Sequence, residues 1–230
     1  METIFITGTD TGVGKTYFGR ILVKALLNNK YRCIPKKPIE SGCEPKNGEL
    51  IPDDALQYVG ATNNSVSLEE VCKYRYEPPI SPERAIRLAG EKVKVKDLVK
   101  ACATDREADF LLVEGAGGIY SPLCLDGLNA DLAVALQGKV ILVVPDRLGC
   151  INQALLATEA IKSQHLELLA VVLNQYRPHD DTMMDNYADL KARLLVPVIR
   201  IPLIQSGDQE LLDMQYNGIE EVLNILKALG

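Results

Sequence analysis

The sequence predicts a doubly wound α/β fold, a mostly parallel sheet with helices on both faces. Three observations lead there. Short β-branched runs alternate with longer segments of helical spacing along the whole chain. The runs are apolar on both faces, as strands covered on both sides must be. No internal repeat, low-complexity tract or linker interrupts them, so one domain spanning residues 1–230 is expected.

The predicted strands are Thr3–Thr7, Arg32–Lys36, Phe110–Glu114, Val140–Val144, Leu169–Leu173 and Val198–Ile201. Between them Thr16–Asn28, Val95–Ala103, Ile151–Ser163, Asp180–Leu194 and Ile219–Leu229 carry helical spacing. Lys36–Arg84 is the stretch richest in Pro, Gly and charge, and the least regular structure is expected there. In a doubly wound sheet, ligands bind beyond the carboxyl ends of the strands, where such loops gather. The Pro78-Pro79-Ile80-Ser81-Pro82 run restricts the backbone and is a candidate pocket wall.

Composition narrows the function classes. A hydrophobic content of 47% with 24% charged residues is that of an ordinary globular chain. The net charge of −6 and a pI near 5.1 weigh against a nucleic-acid or acidic-membrane surface, so neither partner is expected. No apolar run approaches the roughly 20 residues that span a bilayer. Met1-Glu2-Thr3-Ile4 has no basic, signal-like region, and a cytoplasmic setting is expected. Six cysteines lack any C-x-x-C pair and read as reduced structural thiols. His165 and His179 read as surface residues near helix ends.

The first strand runs straight into Gly8-Thr9-Asp10-Thr11-Gly12-Val13-Gly14-Lys15-Thr16, and a helix follows. Glycines let successive N–H groups point into one concavity at the positive end of that helix, which suits phosphate. Lys15 can reach the outer phosphates of ATP, and the Thr16 hydroxyl can ligate Mg²⁺. Gly12, Val13, Gly14, Lys15, Thr16 and Tyr17 are therefore the candidate nucleotide-binding residues of a P-loop NTPase-type fold. The spacing is unusual, with five residues rather than four between Gly8 and Gly14.

Strand Phe110–Glu114 ends in an acid followed by Gly115-Ala116-Gly117-Gly118. A carboxylate at that strand tip can face a metal, and the small residues admit a ligand close to the backbone. Asp53-Asp54 opens a helical segment, where either acid could cap the helix or Asp54 could join Glu114 at Mg²⁺. Lys36-Lys37-Pro38 follows the second strand at the same end of the sheet, and one lysine could neutralise a transferring phosphoryl group.

Taken in order, these blocks resemble the dethiobiotin synthetase family. The resemblance rests on the Gly8–Thr16 run with its odd spacing, on Lys37-Pro38-Ile39-Glu40-Ser41-Gly42 and on Asp53-Asp54-Ala55. It continues in Val113-Glu114-Gly115-Ala116-Gly117-Gly118 and Leu148-Gly149-Cys150-Ile151-Asn152, so that it covers roughly residues 1–205. It implies that 7,8-diaminononanoate and CO₂ form a carbamate, that ATP phosphorylates it with Mg²⁺ present, and that ring closure gives a cyclic urea. Lys37 and Lys15 would then be catalytic, and Thr16, Asp54 and Glu114 would hold the metal. Thr11 and Ser41 would contact the substrate, and Gly115, Ala116 and Gly117 the nucleotide. Asn174 and Gln175 would meet the adenine, with Pro202, Leu203 and Ile204 lining it. The resemblance also implies a homodimer in which Gly149, Cys150, Ile151, Asn152 and Tyr187 serve the neighbouring subunit's site. Without it, the first four read as a helix cap and Tyr187 as a packing residue.

Three departures stand out. Gly12 replaces an acid found in some members, Glu40 puts a charge where a small residue is common, and Gln209 or Glu210 could fill an acidic nucleotide-contact position. The competing reading is a partner-switching or partitioning P-loop ATPase. Such proteins often carry an extra lysine early in the phosphate loop, where this chain has Asp10 and Thr11. A cobyrinate-type amidase would need a further glutamine-hydrolysing domain.

Overall fold

Ile4 and Ile6 of the first strand point to one side of the sheet and Phe5 to the other, each into its own apolar cluster. This alternation of fully buried residues makes the strand the middle of a three-layer structure. The computed structural model describes residues 1–175, 183–202 and 209–229, with the side chains of 209–211 left aside.

In chain order, β1 (Glu2–Gly8), α1 (Lys15–Asn28) and β2 (Cys33–Lys36) come first. A connecting region then holds β3 (Ile39–Ser41), the hairpin β4 (Glu44–Lys46) and β5 (Glu49–Ile51), α2 (Asp53–Ala61), α3 (Leu68–Val71), β6 (Tyr74–Tyr76), α4 (Pro82–Leu88) and α5 (Val95–Cys102). Next are β7 (Phe110–Gly118), β8 (Pro122–Cys124), β9 (Gly127–Leu128), α6 (Asn129–Ala135), β10 (Lys139–Pro145) and α7 (Cys150–Ser163). The chain continues through β11 (Leu168–Asn174), α8 (Asn186–Lys191), β12 (Val198–Ile201) and α9 (Gln209–Lys227).

The six predicted strands are the six of the central sheet, ordered β12-β11-β10-β1-β7-β2, and every neighbouring pair is parallel. Residues of α1, α2 and α9 pack on one face, and residues of α5, α6 and α7 on the other. The doubly wound expectation holds. Beside β1, strand order runs outward both ways, to β7 and β2 or to β10, β11 and β12, which opens a crevice at the carboxyl ends.

Lys36–Arg84 interrupts its loops with α2, α3 and several three-residue strands, too short for a hydrophobic period to register. Three local expectations need correction. Strand β7 does not stop at Glu114. It continues to Gly118, which pairs with Gly8 after a register shift, because backbone without bulky side chains can follow the turn of β1. Helix α8 is only six residues long, since the Asp185 side chain caps it by accepting the Ala188 N–H at 3.1 Å. Helix α9 begins ten residues before the predicted Ile219, in a stretch whose described side chains are mostly exposed and so lack an apolar stripe.

Candidate active site

The phosphate loop joins β1 to α1. Gly14 is the helix N-cap with φ 92°, a left-handed conformation that favours glycine, and its missing Cβ would lie 1.9 Å from Asn174 Nδ2. Asn174, buried at the end of β11, donates from Nδ2 to the Val13 carbonyl at 2.9 Å. The loop is thus braced from a neighbouring strand as well as by its own turn. Lys15 Nζ folds back to the Asp10 carbonyl at 2.9 Å. Burial, and then the charge of Lys37, lower its pKa to about 8, because neither favours a second cation there.

Three oxygen donors converge beside the loop. Thr16 Oγ1 lies 2.7 Å from Asp54 Oδ1 and 3.0 Å from Glu114 Oε1, and its single proton can serve only one at a time. Two carboxylates and a hydroxyl are hard ligands that leave room for phosphate oxygens and water, a set that fits Mg²⁺. Among the described residues no group of three or more His, Cys, Asp or Glu forms a self-sufficient metal site.

Lys37 Nζ is salt-bridged to Glu114 Oε1, stands 2.9 Å from Asp54 Oδ2 and donates to the Gly115 carbonyl at 3.3 Å. Burial alone would lower its pKa, but the charges of Glu114 and Asp54 outweigh it and raise the value. In return Lys37 holds Asp54 below the usual carboxylate range, against the effect of burial. The neighbouring Lys36 is turned away and donates to the Glu70 carbonyl at 2.7 Å and the Ala103 carbonyl at 3.4 Å, at the C-terminal ends of α3 and α5. Of the two lysines, Lys37 alone lines the cavity.

The cavity measures about 730 Å³ and opens at the carboxyl ends of the strands. It is lined by Thr11, Gly12, Gly14, Lys15, Thr16, Tyr17, Lys37, Ser41, Asp54, Glu114, Ala116 and Gly117 among the candidates. Pro79, Ile80, Ser81 and Pro82 form part of its wall, and the Ser41 hydroxyl donates to the Ile80 carbonyl at 2.6 Å. Val13 is buried beneath the loop, and Gly115 is the buried backbone that receives Lys37. Tyr17 accepts from Gln215 Nε2 of α9 at 2.6 Å.

Other candidates lie apart. Gln175 follows β11 and its N–H reaches the Ile201 carbonyl at 2.9 Å, with Pro202 buried just beyond. Leu203, Ile204 and His179 lie outside the described residues, as do the side chains of Gln209 and Glu210. Gly149 is the N-cap of α7 at φ 87°, followed by buried Cys150, half-buried Ile151 and exposed Asn152. None of these four lines the cavity, nor does Tyr187, whose ring lies 4.4 Å from the Arg200 guanidinium carbon. His165 is exposed, and all six cysteines are free and buried.

Capping by Asp53 or Asp54 is a further correction. The N-cap of α2 is Pro52, and the cap is Glu40, whose two oxygens accept the N–H groups of Asp54 at 2.9 Å and Ala55 at 3.0 Å. Burial, partly offset by Lys37, raises the Glu40 pKa to about 7. Sequence reasoning noticed Glu40 only as a departure. It also missed Tyr58, which donates to Glu114 Oε2 at 2.7 Å, although the four-residue spacing from Asp54 places both on one helix face. Buried Asn129 was missed too. Its amide accepts from Ala116 N at 2.9 Å and donates to the Ala116 carbonyl at 2.7 Å, bracing the glycine run, and nothing in its local sequence signals this.

Comparison with known proteins places the chain among relatives. Residues 2–210 match a family described as an AAA domain. The chain is 42% identical over 179 residues to the ATP-dependent dethiobiotin synthetase BioD of Ruthia magnifica, covering 78% of this chain and 82% of that protein. It is 38% identical over 210 residues to the protein of the same name from Pseudomonas aeruginosa strain PAO1, covering 90% and 92%. Among solved structures, the cell division ATPase MinD of Pyrococcus furiosus superposes with a TM-score of 0.56 at 17% identity, covering 100% and 99% of the two chains. A plasmid partition protein from Borrelia burgdorferi gives 0.57 at 11% identity, covering 97% and 98%. At such identities these two establish the fold alone.

Proposed function

Because the chain belongs to the ATP-dependent dethiobiotin synthetase family, we propose that it converts 7,8-diaminononanoate, CO₂ and ATP, with Mg²⁺, into dethiobiotin, ADP and phosphate. The observation that carries this reading is the convergence of Lys15, Lys37, Thr16, Asp54 and Glu114 on one cavity.

One amine of the substrate adds to CO₂ and loses a proton, giving a carbamate. A carbamate oxygen attacks the γ-phosphorus of ATP, and the bond to ADP breaks. The second amine then attacks the carbamoyl carbon, the C–O bond breaks, phosphate leaves and a proton is lost. The difficulty is that two anions must meet, so fixed cations are the natural catalytic device. Lys37, kept charged by its carboxylate neighbours, suits that task. Lys15 and the backbone N–H groups of the loop suit the outer phosphates. Thr16, Asp54 and Glu114 would hold Mg²⁺, which would supply charge neutralisation for the phosphates. Thr11 and Ser41, on the cavity wall, suit the diamine or its carbamate.

The N-terminus of α7, where Gly149 and Asn152 are exposed, suits the substrate's carboxylate tail from a second subunit, with Tyr187 beside it. Leu148 and Leu156 are 86% and 64% exposed around that helix, which supports a homodimer there. Asn174, Gln175 and Pro202 remain our candidates for the adenine side, and Leu203 and Ile204 complete that proposal. No helix among the described residues is long and apolar enough to cross a membrane.

The test is a mass-spectrometric assay of purified protein with the diamine, bicarbonate and MgATP. Dethiobiotin with matching ADP is the expected result. ATP hydrolysis without dethiobiotin would favour a partner-switching ATPase instead.

A further inference from the structure

We propose that Tyr58 is a positioning residue for this reaction: its hydroxyl fixes the Glu114 carboxylate so that Oε1 is the oxygen presented to Thr16 and Lys37. The proposal rests on the reading of Glu114 as a metal-side acid.

A carboxylate is symmetric, and at the end of a flexible side chain it can present either oxygen. Here the two oxygens are used differently. Oε2 accepts from the Tyr58 hydroxyl at 2.7 Å, while Oε1 faces Thr16 Oγ1 at 3.0 Å and the Lys37 ammonium. Tyr58 is fully buried, so its hydroxyl has no solvent alternative. An apolar side chain would fill the same core, and a buried hydroxyl is retained at a cost unless it is paired. Among the described residues its pairing with Glu114 is the one polar bond that the phenol makes.

Two further features hold the phenol in place. On α1, Gly19 leaves the space it needs, since a Cβ there would lie 1.9 Å from the Tyr58 oxygen. On α2, Asp54 and Tyr58 stand one turn apart, and Glu40 fixes the start of that helix through two backbone N–H groups. A single helix thus carries one carboxylate of the site and orients the other. Partners that orient a metal-binding carboxylate typically change metal affinity or activity 10–100-fold when removed.

The test is Tyr58→Phe, which keeps the ring and removes the hydroxyl. Binding of Mn²⁺, a paramagnetic stand-in for Mg²⁺, is measured by electron paramagnetic resonance with a non-hydrolysable ATP analogue bound. We expect the metal to bind about 10–100-fold more weakly. Affinity for the metal-free nucleotide should stay near that of the parent, and the variant should stay folded at the measuring temperature with a lower melting temperature, because buried Glu114 Oε2 loses its donor. Should the variant fold poorly, the titration is repeated well below its melting temperature, where the same loss is expected. Parent-like Mn²⁺ affinity in the folded variant would overturn the proposal. The comparison needs neither diamine nor product, so failure to form dethiobiotin would leave its outcome distinct.

Discussion

Lys37 Nζ and Asp54 Oδ2 lie 2.9 Å apart, joining the strand that follows the phosphate loop's helix to the connecting region beyond it. The lysine side chain is 4% exposed and the aspartate 36%, so the ammonium sits at the inner edge of a half-open acidic cleft. Its other partner, Glu114, is fully buried. An ion held this way is positioned before any ligand arrives, which is what electrostatic catalysis requires.

Lys37→Gln should lower turnover by about 10²–10³-fold, the typical cost of losing one pre-aligned charge-stabilising donor. ATP affinity should change little if the lysine acts mainly in the transition state. Steady-state kinetics paired with nucleotide titration measure both. Near-normal turnover would contradict the role given to Lys37.

Glu114→Gln should raise the Mg²⁺ concentration needed for half-maximal activity by at least about tenfold, as removing even a supporting partner of a metal ligand often does. A Mg²⁺ titration of parent and variant at fixed ATP reads this directly. Superimposable curves would count against metal ligation by Glu114.

Gly19→Ala should destabilise the protein, against the usual sign. Alanine is normally better than glycine within a helix by about 1 kcal/mol. Here its Cβ would stand 1.9 Å from the buried Tyr58 oxygen, and overpacking of a core typically costs about 1–3 kcal/mol. A lower urea midpoint is expected, whereas a higher one would mean that Tyr58 moves aside freely.

Stability should fall as pH rises above about 9. Burial raises all six thiols, with Cys33 and Cys102 pushed to about 12 from an ordinary value of 9.0. A group with a raised folded pKa contributes stability that is complete below its unfolded pKa and lost as pH climbs toward the folded one. Lys15 and Lys36, lowered by burial, work in the opposite direction but are fewer. Urea midpoints at pH 8 and pH 10 test the balance, and a higher midpoint at pH 10 would contradict it. A thiol reagent should label the native protein slowly at both.

Much of this molecule was legible in its sequence because the strands that build the sheet are continuous apolar runs, and each was found. The phosphate loop was equally legible, since glycine, lysine and threonine at fixed offsets act through the backbone they adjoin. Legibility failed where a role depends on distant partners. Nothing near Asn129 announces that it braces the run after Glu114, and nothing around Glu40 announces that it caps a helix 14 residues away. Tyr58 is a core residue, but the polar tip of its ring meets a residue 56 positions later. The length of β7 was misjudged for a related reason: small residues after a strand-end acid can also prolong the strand where a partner backbone is waiting.

The most direct test of the proposed chemistry follows one oxygen atom. If a carbamate oxygen attacks ATP and ring closure breaks the C–O bond, that oxygen must leave in phosphate. A single turnover with ¹⁸O-labelled CO₂, diamine and unlabelled MgATP, quenched before exchange with water, should give phosphate carrying one ¹⁸O for each dethiobiotin formed. Unlabelled phosphate alongside dethiobiotin would contradict phosphorylation of the carbamate.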